Sequence, residues 1–216
     1  MPVAAPAQAH PTLSELARRF GAMPARRIRL DRYPATEGDV EELESVDGRL
    51  YELIDGVLLE KDMAFRESVL AVEIARLLKN HVVGKGLGVV AGADGMMRLA
   101  PGLVRIPDAS FIRKAQFPGG RVGDARVPAI HPDLAVEVIS PGNTVEEMDE
   151  KLIDFFRAGT TLVWYVEPGT RSVLVFTGPD RAKATRLTVA DTLDGGSVLP
   201  GFALPVAAIF AELDAI

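Results

Sequence analysis

The chain has 216 residues, enough for one domain with a full hydrophobic core and short for two. Its 24 basic and 30 acidic residues leave a net charge of −6, so the molecule as a whole does not attract polyanions, and a nucleic-acid contact would need a local basic patch or a metal ion. The absence of cysteine excludes disulfides, thiolate metal sites and a cysteine nucleophile, and no apolar run approaches the ~20 residues of a membrane span.

Residues 1–25 read as a mobile tail or short helix ahead of a single domain over 26–216. Met1 to Pro11 is rich in Ala and Pro and lacks the basic-then-apolar pattern of a secretory signal. Together with the missing cysteines, this points to the cytoplasm. Thr12 to Phe20 suits a short helix stopped by Gly21, and Pro34 to Glu44 is an acidic loop or short helix. Leu50 to Leu59 reads as a β-hairpin turning at Asp55-Gly56. Next comes a long helix over Phe65 to Val83, stopped by Gly84, with Leu70, Ile74, Leu77 and Leu78 on one face.

Gly88–Leu99 and Leu103–Ile112 read as strands joined through Pro101-Gly102. A polar, Gly-rich connection from Pro118 to Pro128 leads to the strand Leu134-Ala135-Val136-Glu137-Val138-Ile139. Thr144 with Glu147 forms a capping box for a second helix, which carries Val145, Met148, Leu152, Phe155 and Phe156 on one face and ends at Gly159. Leu162–Val166 and Ser172–Phe176 pair as a hairpin. Turns at Asp194-Gly195-Gly196 and Pro200-Gly201 precede a last apolar segment to Phe210. The order of elements implies an α/β (α+β) fold, a mixed β-sheet flanked by helices with additional hairpins.

Two acids stand where acids are rare. Glu137 interrupts a strand that is otherwise apolar on both faces, and Asp108 ends the run Leu103-Val104-Arg105-Ile106-Pro107. Buried carboxylates are paired or bind a metal. Period-two counting puts Asp108 with Val104 and Ile106, and Glu137 with Ala135 and Ile139; if the strands are neighbours, the two acids converge. Mg²⁺ takes one or two protein carboxylates and completes its shell with water and phosphate oxygens, which makes metal-assisted phosphodiester hydrolysis the leading chemistry. Lys151 lies beside the apolar stripe of its helix and can reach inward to stabilise negative charge or orient water. Glu67 shares a face with Leu70 and Ile74, and Glu52 alternates with Leu50 and Ile54, so both can point the same way. Arg113, Lys114, Arg121 and Arg126 lie between the two acids and could grip phosphates or simply be solvated. His10, His81 and His131 are too scattered for a zinc site, and Trp164 and Tyr165 read as core.

Tyr51-Glu52-Leu53-Ile54-Asp55-Gly56, Pro107-Asp108 and Pro132-Asp133-Leu134-Ala135-Val136-Glu137-Val138-Ile139-Ser140-Pro141 resemble hallmarks of the Uma2 family, also called DUF820. Lys151-Leu152 with Arg157-Ala158-Gly159, Val163-Trp164-Tyr165-Val166 and Asp191 to Phe202 continue the likeness, which spans about residues 35 to 212. The resemblance implies a PD-(D/E)XK, restriction-endonuclease-like fold, a DNA-cleaving nuclease activity with Mg²⁺ or Mn²⁺, and a homodimer. It implies that Asp108, Glu137 and the backbone carbonyl of Val138 hold the metal, that Lys151 is the catalytic lysine, and that Glu52, the early glutamate of the motif, is a catalytic residue that assists, with a second metal as its place of action. The superfamily's lysine would fall at position 139, which is isoleucine here. Glu67 stands where many members carry a histidine, and an acid there would be an outer-shell ligand. Those two departures support a rival, a nuclease fold without chemistry that acts as a nucleic-acid or protein interaction module. A metal-free glycosidase is a more distant alternative, because the chain has a single tryptophan and few aromatics to hold a sugar.

Overall fold

Central strands buried on both faces build two large sheets with one helix lodged between them. The computed structural model describes residues 10–214; residues 1–9 of the expected tail lie outside that span. Helix α1 (Leu13–Phe20) opens with a full capping box between Thr12 and Glu15. Its Leu16 and Phe20 are buried against Ile54, Val57 and Leu59, so the packed core takes in residues on the tail side of position 26.

The first sheet has five antiparallel strands in the order β1 (Ile28–Arg29), β3 (Val57–Glu60), β2 (Tyr51–Ile54), β6 (Leu103–Arg105), β5 (Met97–Ala100). The β2–β3 hairpin turns at Asp55 and Gly56, with φ of 47° and 83°, the left-handed pair a two-residue turn needs. Helix α2 (Glu37–Asp47), which replaces the expected loop or short helix, sets Val40 and Leu43 against Tyr51, Leu53, Leu58 and Val104. Since successive side chains alternate, Glu52 is directed to the opposite face.

The second sheet has six strands, β11 (Thr185–Leu187), β10 (Ser172–Phe176), β9 (Leu162–Glu167), β8 (Leu134–Val138), β7 (Ala109–Arg113) and β4 (Gly88–Ala91). Only β8 and β9 are parallel, joined through α4 (Val145–Ala158). Leu134, Val136, Val138 and Trp164 face α3 (Phe65–Val82) and the C-terminal segment, which holds the small pair β12 (Thr192–Asp194) and β13 (Ala203–Pro205) and helix α5 (Val206–Phe210). Ala135, Val163 and Tyr165 face Met148, Leu152 and Phe155 of α4. On its other side α4 reaches the first sheet, where Asp154 meets Arg105 and Lys151 meets Glu52.

The mixed α+β architecture agrees with the sequence reading, with three corrections. Gly88–Leu99 and Leu103–Ile112 are not single strands. Each divides, so that β4 and β7 pair in the six-stranded sheet while β5 and β6 pair in the other. Pro107, which has no N–H for a ladder, sits in one crossing, and Gly92 and Gly95 sit in the other. The capping box of α4 is only half made: Thr144 accepts from the Glu147 N–H, but the Glu147 carboxylate is drawn into a buried pair with Arg27 at 2.8 Å. Finally, Val145 is exposed and does not join the apolar face of α4. Among the described residues, no helix is long and apolar enough to cross a membrane.

Candidate active site

Glu52, Glu67, Asp108, Glu137, Val138 and Lys151 line one small cavity. They arrive from five places in the chain, Glu137 and Val138 together on β8. Glu137 projects from β8 on the α4 face, where Lys151 meets it. Glu52 comes from the facing sheet, and Glu67 from the first turn of α3. Asp108 lies in the crossing between β6 and β7, so strand counting from Val104 does not describe it. It is held instead by an extension of the β7–β8 ladder: its N–H donates to the Val136 carbonyl at 3.0 Å, and its Oδ2 accepts from the Val138 N–H at 2.7 Å. The Val138 carbonyl leaves the backbone on the same edge of β8 as that N–H.

Glu137 Oε2 accepts from Lys151 Nζ at 2.9 Å, while its Oε1 is buried with no partner. Burial pushes the Glu137 carboxyl up to about 7; Lys151 opposes the rise and the nearby Asp108 adds to it. Burial acts on Glu52 in the same sense, yet Lys151 and Arg105 override it and hold that carboxyl at about 2. Glu52 accepts from Arg105 Nη1 at 2.8 Å and from the Ile106 N–H at 3.0 Å, and stands 3.2 Å from Lys151 Nζ, so both its oxygens are engaged. Lys151 is itself buried, but Glu137 and Glu52 raise its pKa above the ordinary value and keep it an ammonium. Glu67 is buried on the core side of α3 as expected, and its Oε2 has no partner.

Sequence reasoning missed two cations. Lys61, the residue after β3, donates to Asp108 Oδ1 at 2.6 Å and to the Ile106 carbonyl. Nothing in its spacing distinguishes it from a charged strand end. Arg105 is fully buried and also binds Asp154 at 2.6 Å. It is a charged residue inside an apolar strand, the same signal that singled out Glu137. Of the basic residues offered as phosphate grips, Arg113 pairs with Asp133 and Arg126 with Glu44, and none of the four lines the cavity.

The donor set fits a hard divalent cation. With Arg27 matched by Glu147 and Arg105 shared with Asp154, the carboxylates of Glu52, Glu67, Asp108 and Glu137 face only two ammonium groups, Lys61 and Lys151. A buried carboxylate oxygen with no partner is costly, and the cavity has two, Glu137 Oε1 and Glu67 Oε2. Its volume of about 20 Å³ is room for one water or one ion. Among the described residues, no three acidic or histidine side chains gather closely enough to cage an ion unaided. An ion here would rest on two carboxylates, a carbonyl and water, the way Mg²⁺ is commonly held.

A solved structure from Anabaena variabilis ATCC 29413, described as a putative nuclease belonging to DUF820, superposes with a TM-score of 0.70 at 18% sequence identity, over 83% of this chain and 99% of that one. At that identity the likeness speaks for the fold. No curated protein matches the sequence. The family model for Uma2, described as "putative restriction endonuclease", matches residues 38–207. With that match over most of its length, and with the fold to go with it, the chain belongs to the Uma2 family.

Proposed function

We propose that this protein is a Mg²⁺- or Mn²⁺-dependent nuclease that hydrolyses phosphodiester bonds in DNA. The observation that carries the reading is the unpartnered Glu137 Oε1, buried in the cavity that Asp108, Glu67 and Val138 also line. The family's description as a restriction endonuclease supports DNA as the substrate. In this reading Asp108, Glu137 and the Val138 carbonyl hold the ion. Bound there, it would polarise a phosphate and lower the pKa of a water.

The chain's own residues then divide the remaining work. Lys151 stays protonated, so it takes no proton from water; its charge offsets the negative charge that develops on the phosphate. By fixing Glu137 Oε2 it also leaves Oε1 free toward the cavity. Glu52 has no spare oxygen and acts as a positioning residue, holding Lys151 between the two sheets. Glu67 Oε2, buried and without a partner, would offer an acceptor to a water when an ion is bound.

Cleavage of supercoiled plasmid DNA with Mg²⁺ or Mn²⁺ tests the proposal. Glu137→Ala should lose more than roughly 100-fold in rate, since even outer-shell partners of a metal are worth about 10–100-fold. Equal rates in wild type and E137A would overturn it.

A further inference from the structure

We infer that Lys61 is a further cationic residue of this site and stands in for a second metal ion, so that the cavity takes one divalent ion and not two. The inference rests on the metal-dependent reading above and adds to it how many ions the site holds and which residue sets that number.

Lys61 Nζ lies 2.6 Å from Asp108 Oδ1 and 2.5 Å from the Ile106 carbonyl oxygen. A carboxylate and a backbone carbonyl are the donors a hard cation would choose, and here an ammonium has them. The side chain is 8% exposed, and the Lys61 N–H is tied to the Leu50 carbonyl at 2.8 Å, so the ammonium is delivered from a fixed backbone.

The carboxylate oxygens fall into two sets. Asp108 Oδ1 and both Glu52 oxygens already have donors: Lys61, Arg105, the Ile106 N–H and Lys151. Asp108 Oδ2 accepts the Val138 N–H alone and keeps a second lone pair for an ion shared with Glu137. Glu137 Oε1 and Glu67 Oε2 remain without partners. A first ion finds open acceptors on Glu137 Oε1 and Asp108 Oδ2; a second, at Asp108 Oδ1 and the Ile106 carbonyl, would have to displace Lys61.

Charge and volume give the same answer. With Glu137 ionised and Arg105 matched by Asp154, four carboxylates against two ammonium groups leave two negative charges, which one divalent ion cancels. A second would strand two positive charges in a buried cavity, a costly state. The volume of about 20 Å³ holds one such ion.

Titration of the full-length, metal-free protein with Mn²⁺ by calorimetry tests this without an activity readout. Wild type should bind one ion per chain. K61M, which removes the charge beside Asp108, should bind a second ion. K61R, which restores a cation, should return to one ion with the wild-type affinity. Two ions bound by wild type would overturn the inference and leave the nuclease reading standing, as would a K61M titration that stays at one ion. No carboxylate-dependent binding by wild type would overturn both. The wild-type stoichiometry is decisive even if K61M does not fold.

Discussion

Glu137 and Glu52 share one lysine and yet are pushed in opposite directions. Glu52 has Arg105 and the Ile106 N–H in addition to Lys151, and its carboxyl sits at about 2. Glu137 has Lys151 as its hydrogen-bond donor and Asp108 as a like-charged neighbour, and it sits at about 7, against an ordinary 4.5. Between pH 4.5 and 7 the folded, metal-free protein therefore keeps a proton on Glu137 that the unfolded chain has released. Stability falls as pH rises wherever the folded state binds more protons. Glu52 works the other way, contributing stability above its ordinary value that is lost as pH drops toward 2. Urea unfolding in EDTA should show wild type losing on the order of 1–3 kcal/mol relative to Glu137→Gln between pH 5 and pH 8. A divalent ion competes with the same proton, so Mn²⁺ affinity should rise from pH 6 to pH 8. Parallel stability profiles for the two proteins would show that Glu137 is ionised throughout.

At the scale of elements, the site depends on α4 being pinned between two sheets, and Arg105 on β6 is the pin. It is fully buried, with Glu52 on one side and Asp154 of α4 on the other. Removing one partner of a buried ion pair strands the rest, at a cost of about 3–5 kcal/mol. Arg105→Met should destabilise by that amount in urea unfolding and should free Lys151 to shift, slowing cleavage more than it weakens metal binding. A variant as stable as wild type would mean that the pair is neutral in the fold. Arg105 also marks where the sequence stopped being readable. The Asp55-Gly56 hairpin, α3 and α4 were legible because turn chemistry and apolar period are local. Glu137 was legible because an acid in a wholly apolar strand has few explanations. The passage of Leu103–Ile112 from one sheet to the other was not, because apolar alternation continues through it; Pro107 was the one signal that the strand breaks. Lys61 left no trace at all, since its neighbours in sequence say nothing about the aspartate it meets 47 positions later.

For the whole molecule, the question is how a chain with net charge −6 holds a polyanion. DNA affinity comes largely from cations on the protein that neutralise phosphates. Here Arg113 and Arg126 are paired with Asp133 and Glu44, and Lys61 and Lys151 are buried among carboxylates. Without an ion, a phosphate approaching the cavity meets an excess of negative charge. The ion in this reading therefore contributes to binding as well as to chemistry: it converts a repulsive cavity into an attractive one. Fluorescence anisotropy with a labelled duplex makes the point measurable if Ca²⁺, whose coordination is looser than that of Mg²⁺, fills the site. Affinity at low salt should rise by roughly tenfold or more on replacing EDTA with Ca²⁺. Asp108→Asn should lose most of that gain while leaving the EDTA baseline unchanged or slightly improved, because one negative charge has gone. Equal affinity with and without the ion would place the DNA-binding surface away from this cavity and assign Asp108 and Glu137 to chemistry alone.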